Sequence, residues 1–320
     1  MKPRPPEHAE SGPRLQRRRA YGWLRLTISF GAFFLLVGLV ALGWYALRPH
    51  PEPVQGRPLF QGVTHTRTVH SDPPQVVNLI TVDLTAPGLR WRVTPRAYEG
   101  EQPYGGLTTG DFLDRHGLQV AVNGGFFEPF YSKWPWDYYP KTGEPVTVLG
   151  LSVSGGDVHT PHHRGYGTFY VSKAGRVEIA DTPPWPMSQV EHAISGREIM
   201  VRDGQLVQKA QRISRPEERH PRTAVGIDAE RKRVFLLVVD GRQWRYAAGF
   251  TVAEIGEALI EAGAHTALLL DGGGSTTMAV MGDEGEAELL NTPAHTRIPG
   301  RQRPVANHLG LYARPLDAAP

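Results

Sequence analysis

The 320-residue chain contains no cysteine. Disulfides, thiolate nucleophiles and cysteine-ligated zinc are excluded together. A domain of this size without a covalent staple must rest on a filled apolar core, and a 40% share of apolar residues permits one. Net charge is small as well, +3 with histidine neutral, but it is unevenly spread. Residues 1–50 hold eight basic and two acidic side chains, leaving 27 basic and 30 acidic for the rest. The remainder is mildly acidic, so a nucleic-acid-binding surface is not expected. There is no internal repeat, and no Gly-x-Ser-x-Gly elbow to present a serine nucleophile.

Long uncharged runs are also scarce, with one exception. Residues 26–47 carry no charge and include Phe33-Phe34-Leu35-Leu36-Val37. At about 1.5 Å per residue such a helix crosses the roughly 30 Å hydrocarbon core of a bilayer. Trp23 and Trp44-Tyr45 stand near its ends, as interfacial aromatics do. Arg48-Pro49-His50 offers no small-residue cleavage site, so the segment reads as an uncleaved anchor. Lys2, Arg4, Arg14, Arg17, Arg18, Arg19 and Arg25 precede it, and Arg48 alone follows closely. The positive-inside rule then places the N-terminus in the cytoplasm and the rest outside, in a single-pass membrane protein. The expected divisions are a cytoplasmic tail at 1–25, a transmembrane anchor at 26–47, a proline-rich stalk at 48–70 and a folded domain at 71–315.

Within that domain short β-type runs dominate. A helix is expected near Leu107 to His116, and another over Thr251 to Ala262, opened by the capping box Thr251-x-x-Glu254. The pattern predicts an α+β fold, a mixed or antiparallel sheet system with few helices.

Three segments share one design, an apolar strand ending in a polar residue and then glycine. They are Val122-Asn123-Gly124-Gly125, Val239-Asp240-Gly241-Arg242 and Leu270-Asp271-Gly272-Gly273-Gly274, the last followed by Ser275-Thr276-Thr277. Strand ends along one edge of a sheet can bring such groups into a common cleft, although each is also an ordinary Asx turn. Successive bare amides at Gly272, Gly273 and Gly274 would make an anion cradle. Arg222 follows Pro221 at a strand entrance, where its guanidinium could clamp a phosphate or form a surface ion pair. The aromatic stretch from Phe126 to Tyr139 suits a sugar site, or a loop folding its rings inward. His159-x-x-His162-His163 reads as a solvated loop ahead of a metal site. No cofactor is called for, although Asp240 and Asp271 could share a divalent cation.

Taken in order, Asn123-Gly124-Gly125-Phe126-Phe127, His220-Pro221-Arg222-Thr223-Ala224, Val238-Val239-Asp240-Gly241-Arg242 and Leu270-Asp271-Gly272-Gly273-Gly274-Ser275-Thr276-Thr277 resemble the phosphodiester glycosidase family. The resemblance runs from about Val76 to Arg314. It implies a hydrolase of glycosyl phosphodiesters, with bacterial relatives tied to exopolysaccharide synthesis. Asp271 would direct water or stabilise an oxocarbenium-like centre, with Asp240 as the alternate. Arg222, the three glycine amides and the hydroxyls of Ser275 and Thr276 would hold the phosphate. Asn123 would orient a sugar hydroxyl or the water, and Gly124, Gly125 and Arg242 would complete the substrate site. A membrane-tethered protein that binds or assembles anionic glycopolymers without turnover is the alternative.

Overall fold

The computed structural model describes residues 28–316, apart from 41, 44, 46, 164 and 208–216. The chain divides after Pro49 into two units. In the first, residues 28–40 are helical, with apolar side chains such as Phe34 and Leu35 two-thirds exposed. The tail expected at 1–25 lies outside the described residues, as do five positions of the expected anchor. Among the described residues no helix is long and apolar enough to cross a membrane.

The second unit, His50–Pro320, holds the sheets. Its largest sheet has eight strands, in the order Val54–Phe60, Val63–Ser71, Pro74–Asp83, Arg233–Val239, Arg222–Ile227, Thr266–Leu269, Ile199–Arg202 and Gln205–Leu206. A five-stranded sheet orders Ala287–Leu289, Met278–Met281, Val120–Asn123, His308–Tyr312 and Arg90–Val93. A second five-stranded sheet is centred on Val190–Ser195. The ladders joining these strands are antiparallel throughout. The mixed-or-antiparallel expectation resolves to antiparallel in an α+β fold.

The period-two alternation of the strands sorts their side chains onto two faces. Val225, Leu236 and Val238 of the large sheet meet Val122 and Leu309 of one smaller sheet and Phe169 and Ile194 of the other in a common core. On the opposite face Ala224, Phe235, Leu237 and Leu269 receive helix Val252–Glu261 through Val252, Ile255 and Leu259. That helix starts at the expected capping box, Thr251 accepting from the Glu254 amide and the Glu254 carboxylate from the Thr251 amide. Helix Thr109–His116 is capped by Thr108 and ends at Gly117, φ 58°, and it covers Ala121 and Ala279.

One boundary needs correction. The stalk expected over 48–70 is largely two strands, Val54–Phe60 and Val63–Ser71, at the edge of the large sheet. Proline is tolerated on an edge strand because its missing N–H costs no ladder bond there. Alternation at Val63, His65 and Arg67 fits a strand, and Val63 and His65 are buried. The folded unit therefore begins near His50.

Candidate active site

Register brings the strand ends together. Arg222 pairs with Val239, so the start of one strand lies beside the end of the next, one residue short of Asp240. Ala224 pairs with Leu269 on the other side, and the Leu270 amide donates to Thr223 O at 2.9 Å. The smaller sheet is tied in when the Asp271 amide donates to Gly124 O at 3.0 Å. Residues separated by about 150 positions thus share one edge.

A cavity of about 610 Å³ opens there. Asp271, the three following glycines, Arg222 and Arg242 line it. So do Arg197, Arg297, Arg303 and His220, and the aromatic loop contributes Phe126, Phe130 and Ser132. Among the described lining residues Asp271 is the one carboxylate, against five arginines.

Asp271 is held from both sides. The Gly272 amide donates to Oδ1 at 2.9 Å and the Ser275 hydroxyl to Oδ2 at 2.6 Å. Arg303 Nη1 donates to Ser275 Oγ at 3.0 Å, while its Nε donates to His295 Nδ1 at 3.2 Å. Burial pushes the Asp271 carboxyl above the ordinary range, and Arg303, the Ser275 hydroxyl, the Gly272 amide and Arg242 pull it back. Burial lowers Arg303 to about 10, with Asp271 opposing the shift. Arg222 also falls to about 10, through burial and then repulsion from Arg242. Its guanidinium donates to two backbone carbonyls, Phe250 O and Glu218 O, and is paired with no carboxylate among the described residues. Burial, then Arg242 and Arg222, hold His220 below its usual value.

The glycines do more than the expected amide cradle asks of them. Two of the amides are already used, Gly272 on Asp271 and Gly273 on Pro221 O at 2.8 Å. What the loop needs is space for guanidinium groups. A Cβ on residue 273 would stand 2.9 Å from Arg242 Nη1, and one on residue 274 would stand 2.4 Å from Arg303 Nη2. Gly273 also adopts φ 63°, a region that glycine enters without the penalty a Cβ brings.

Several expected site residues lie behind the cavity. Asn123 is fully buried. Its Oδ1 accepts from Thr223 Oγ1 at 2.7 Å and the Thr277 amide at 3.1 Å, and its Nδ2 donates to Asp271 O at 2.7 Å. It knots three segments and has no group turned to a ligand. Asp240 is also buried, its carboxylate accepting from Asn291 Nδ2 at 3.0 Å and the Thr292 amide at 2.9 Å. Asp240 is not part of the cavity lining, so the cation shared with Asp271 is not supported. Gly124 and Gly125 give their amides to Asn307, at 2.8 and 3.0 Å, and pack too closely for any Cβ. Ser275 is spent on Asp271, and Thr276 is buried with its hydroxyl unpartnered among the described residues.

Arg303 was not anticipated from the chain. Its position beside Pro304, ahead of strand His308–Tyr312, mirrors Arg222 after Pro221, and that was the available signal. Arg197, Arg297 and His220 likewise went unassigned.

A lone carboxylate among guanidinium groups, in a cleft at the strand ends of an α+β domain, suits an anionic ligand held beside one acid–base group. A family model described as phosphodiester glycosidase matches residues 116–312. The chain therefore belongs to the phosphodiester glycosidase family, a family of hydrolases. No curated protein sequence matches it significantly. The catalytic domain of zebrafish N-acetylglucosamine-1-phosphodiester alpha-N-acetylglucosaminidase, solved in a form auto-inhibited by its pro-peptide, superposes with a TM-score of 0.56 at 19% identity, over 83% of this chain and 87% of that one. A hypothetical protein from Synechocystis gives 0.55 at 16% identity, over 79% of this chain. The chain spans 62% of the length of that cyanobacterial structure. At these identities the likeness is one of fold.

Proposed function

We propose that this chain hydrolyses a glycosyl phosphodiester, breaking the bond between the sugar's anomeric carbon and the phosphate oxygen. The observation that carries the reading is the single carboxylate facing five arginines in one cavity. An ordinary glycosidase uses two carboxyl groups, one of them to protonate a basic leaving oxygen. A phosphate monoester, with a second pKa of about 6, leaves as an anion near neutral pH and needs no such acid. Arg222, Arg242 and Arg303 would hold that anion, worth most in a site that excludes water. Asp271 would take a proton from water as its oxygen bonds to the anomeric carbon. The electron pair of the breaking C–O bond then stays on the phosphate.

We further place this chemistry outside the cell membrane, on envelope or exopolysaccharide material, with residues 26–47 as the anchor. Helical residues 28–40 expose apolar side chains, as a helix surrounded by lipid would. The basic tail favours a cytoplasmic N-terminus. Because the chain has no cysteine, single cysteines at Ser11 and Glu230 would report the topology. An impermeant maleimide on intact cells should label E230C and spare S11C; the opposite pattern would overturn the placement.

Full-length protein in detergent, given a nitrophenyl sugar-1-phosphodiester, should release free sugar. In ¹⁸O-labelled water the label should enter the sugar. Label in the phosphate would refute C–O cleavage. Saturable binding without turnover would favour the alternative, a glycopolymer-binding protein.

A further inference from the structure

We infer that the hairpin tip bearing Trp134 and Trp136 is a carbohydrate platform, a subsite for sugar residues of the substrate's aglycone beyond the phosphate. The inference rests on the glycosyl phosphodiester reading above and extends it to the substrate's far side. Strands Tyr131–Ser132 and Tyr138–Tyr139 pair as a hairpin, with the turn between them closed by Lys133 N to Asp137 O at 2.9 Å and Asp137 N to Trp134 O at 3.1 Å. Two cations fasten this turn, one from a distant segment and one from just beyond the hairpin. Arg301 Nη1 donates to Pro135 O at 2.6 Å, and Lys141 Nζ donates to Trp136 O at 3.0 Å.

The backbone of the tip is thus held, yet its indoles stay in water. Trp134 is 61% exposed and Trp136 is 74% exposed. Their rings stack on each other at 6.1 Å between centroids, 10° from parallel, which leaves broad faces outward. A folding role would turn such rings into the core, since burying a large aromatic is among the strongest gains available to a side chain. Rings kept outside on a fastened turn are better matched to a ligand that is itself apolar on one face and polar at its edges, and a pyranose fits that description.

Location selects a sugar as the occupant. The base of the same loop lines the cavity through Phe126, Phe130 and Ser132. Arg303, which contacts Ser275 beside Asp271, sets its guanidinium over the Phe130 ring at 4.4 Å. The loop that carries the stacked indoles is therefore continuous with the proposed phosphate site, and an aglycone leaving the phosphate can run along it.

The test uses full-length protein in detergent and two substrates with the same sugar-1-phosphoryl unit, one with a nitrophenyl aglycone and one with a tetrasaccharide. W134A/W136A should lower kcat/KM on the tetrasaccharide by at least about tenfold, chiefly through KM, and leave the nitrophenyl substrate within about twofold. W134F/W136F should recover most of the loss. An equal loss on both substrates, or none on either, would overturn the platform. If the wild type cleaves neither, the hydrolase reading has failed, and tetrasaccharide phosphate binding decides the platform alone. Saturable quenching of indole fluorescence that the double alanine variant lacks would support it, and no quenching would overturn it.

Discussion

Gly274 exists in this fold to make way for Arg303. A Cβ at residue 274 would stand 2.4 Å from Nη2 of Arg303, a residue that is 9% exposed and whose guanidinium is bonded to both Ser275 and His295. The arginine has little room to retreat without releasing those partners. In G274A the chain should still fold, because the clash falls on a side-chain terminus and not on backbone. Activity on a sugar-1-phosphodiester should drop by roughly 10²-fold or more, in keeping with loss of one charge-stabilising donor. A thermal melt close to wild type beside that loss would support the assignment, and unchanged kcat/KM would refute it.

The neighbouring carboxylate supplies a sharper test. D271N should abolish turnover while leaving the melt within a few degrees of wild type. S275A removes a donor to the ionised form of Asp271, and a carboxylate that loses such a donor titrates higher. The acid limb of the kcat/KM profile should therefore move to higher pH in S275A, with the plateau partly kept. A limb that stays put or moves lower would separate Asp271 from the observed ionisation.

Asn123 should behave in the opposite way, as a stability residue. In N123A the Thr223 hydroxyl and the Thr277 amide would lose their shared acceptor in a fully buried place. Each buried group left unpaired costs about 1–3 kcal/mol, so a loss of roughly 2–6 kcal/mol in urea unfolding is expected. A variant with normal stability and no activity would make Asn123 a direct participant instead.

These contrasts mark what could be read from the chain. Asn123, Asp240 and Asp271 look alike in sequence, each a polar residue closing an apolar strand ahead of glycine. The pattern was enough to predict that the strand ends meet. It could not tell which of the three faces the cavity, because that depends on Asn291, Thr292 and Thr277 arriving from distant segments to occupy the other two. Arg303 escaped for a related reason. Its neighbour Pro304 is a weak local signal, and its role follows from contacts to Ser275 and His295. Helix Val252–Glu261 was visible through its capping box, which is a local feature. The edge strand Val54–Phe60 was hidden, since the prolines in and before it resemble a linker until a sheet edge is known, and Val63–Ser71 beside it was taken into the same stalk.

A cavity with this charge should bind simple phosphate. Inorganic phosphate should raise the melting temperature of the wild type saturably, since a ligand that binds the native state alone stabilises it by mass action. Sodium chloride at matched ionic strength should not reproduce the effect. The double variant R222M/R303M should lose most of the phosphate-dependent rise. An equal rise in wild type and variant would place the anion elsewhere.

Acid should unfold this protein through buried histidines, three of which are held farthest below their usual value. His192, His295 and His308 are 5%, 0% and 0% exposed. Burial above all holds them low, at about 4, 3 and 3 respectively, with Arg92 adding to the effect on His192 and Arg303 to that on His295. Each is neutral when folded and takes up a proton near pH 6.5 once unfolded. Their share of stability is complete above that value and is lost as pH falls toward the folded values. The slope is about 1.4 kcal/mol per pH unit for each histidine. Asp271 acts with the opposite sign, since its raised value favours proton uptake by the folded form, but it is one group against three. Urea midpoints should fall steeply from pH 7 to pH 5, and H192Q should make that slope shallower. A stability that stays flat over this range would mean that the three imidazoles are protonated in the folded protein after all.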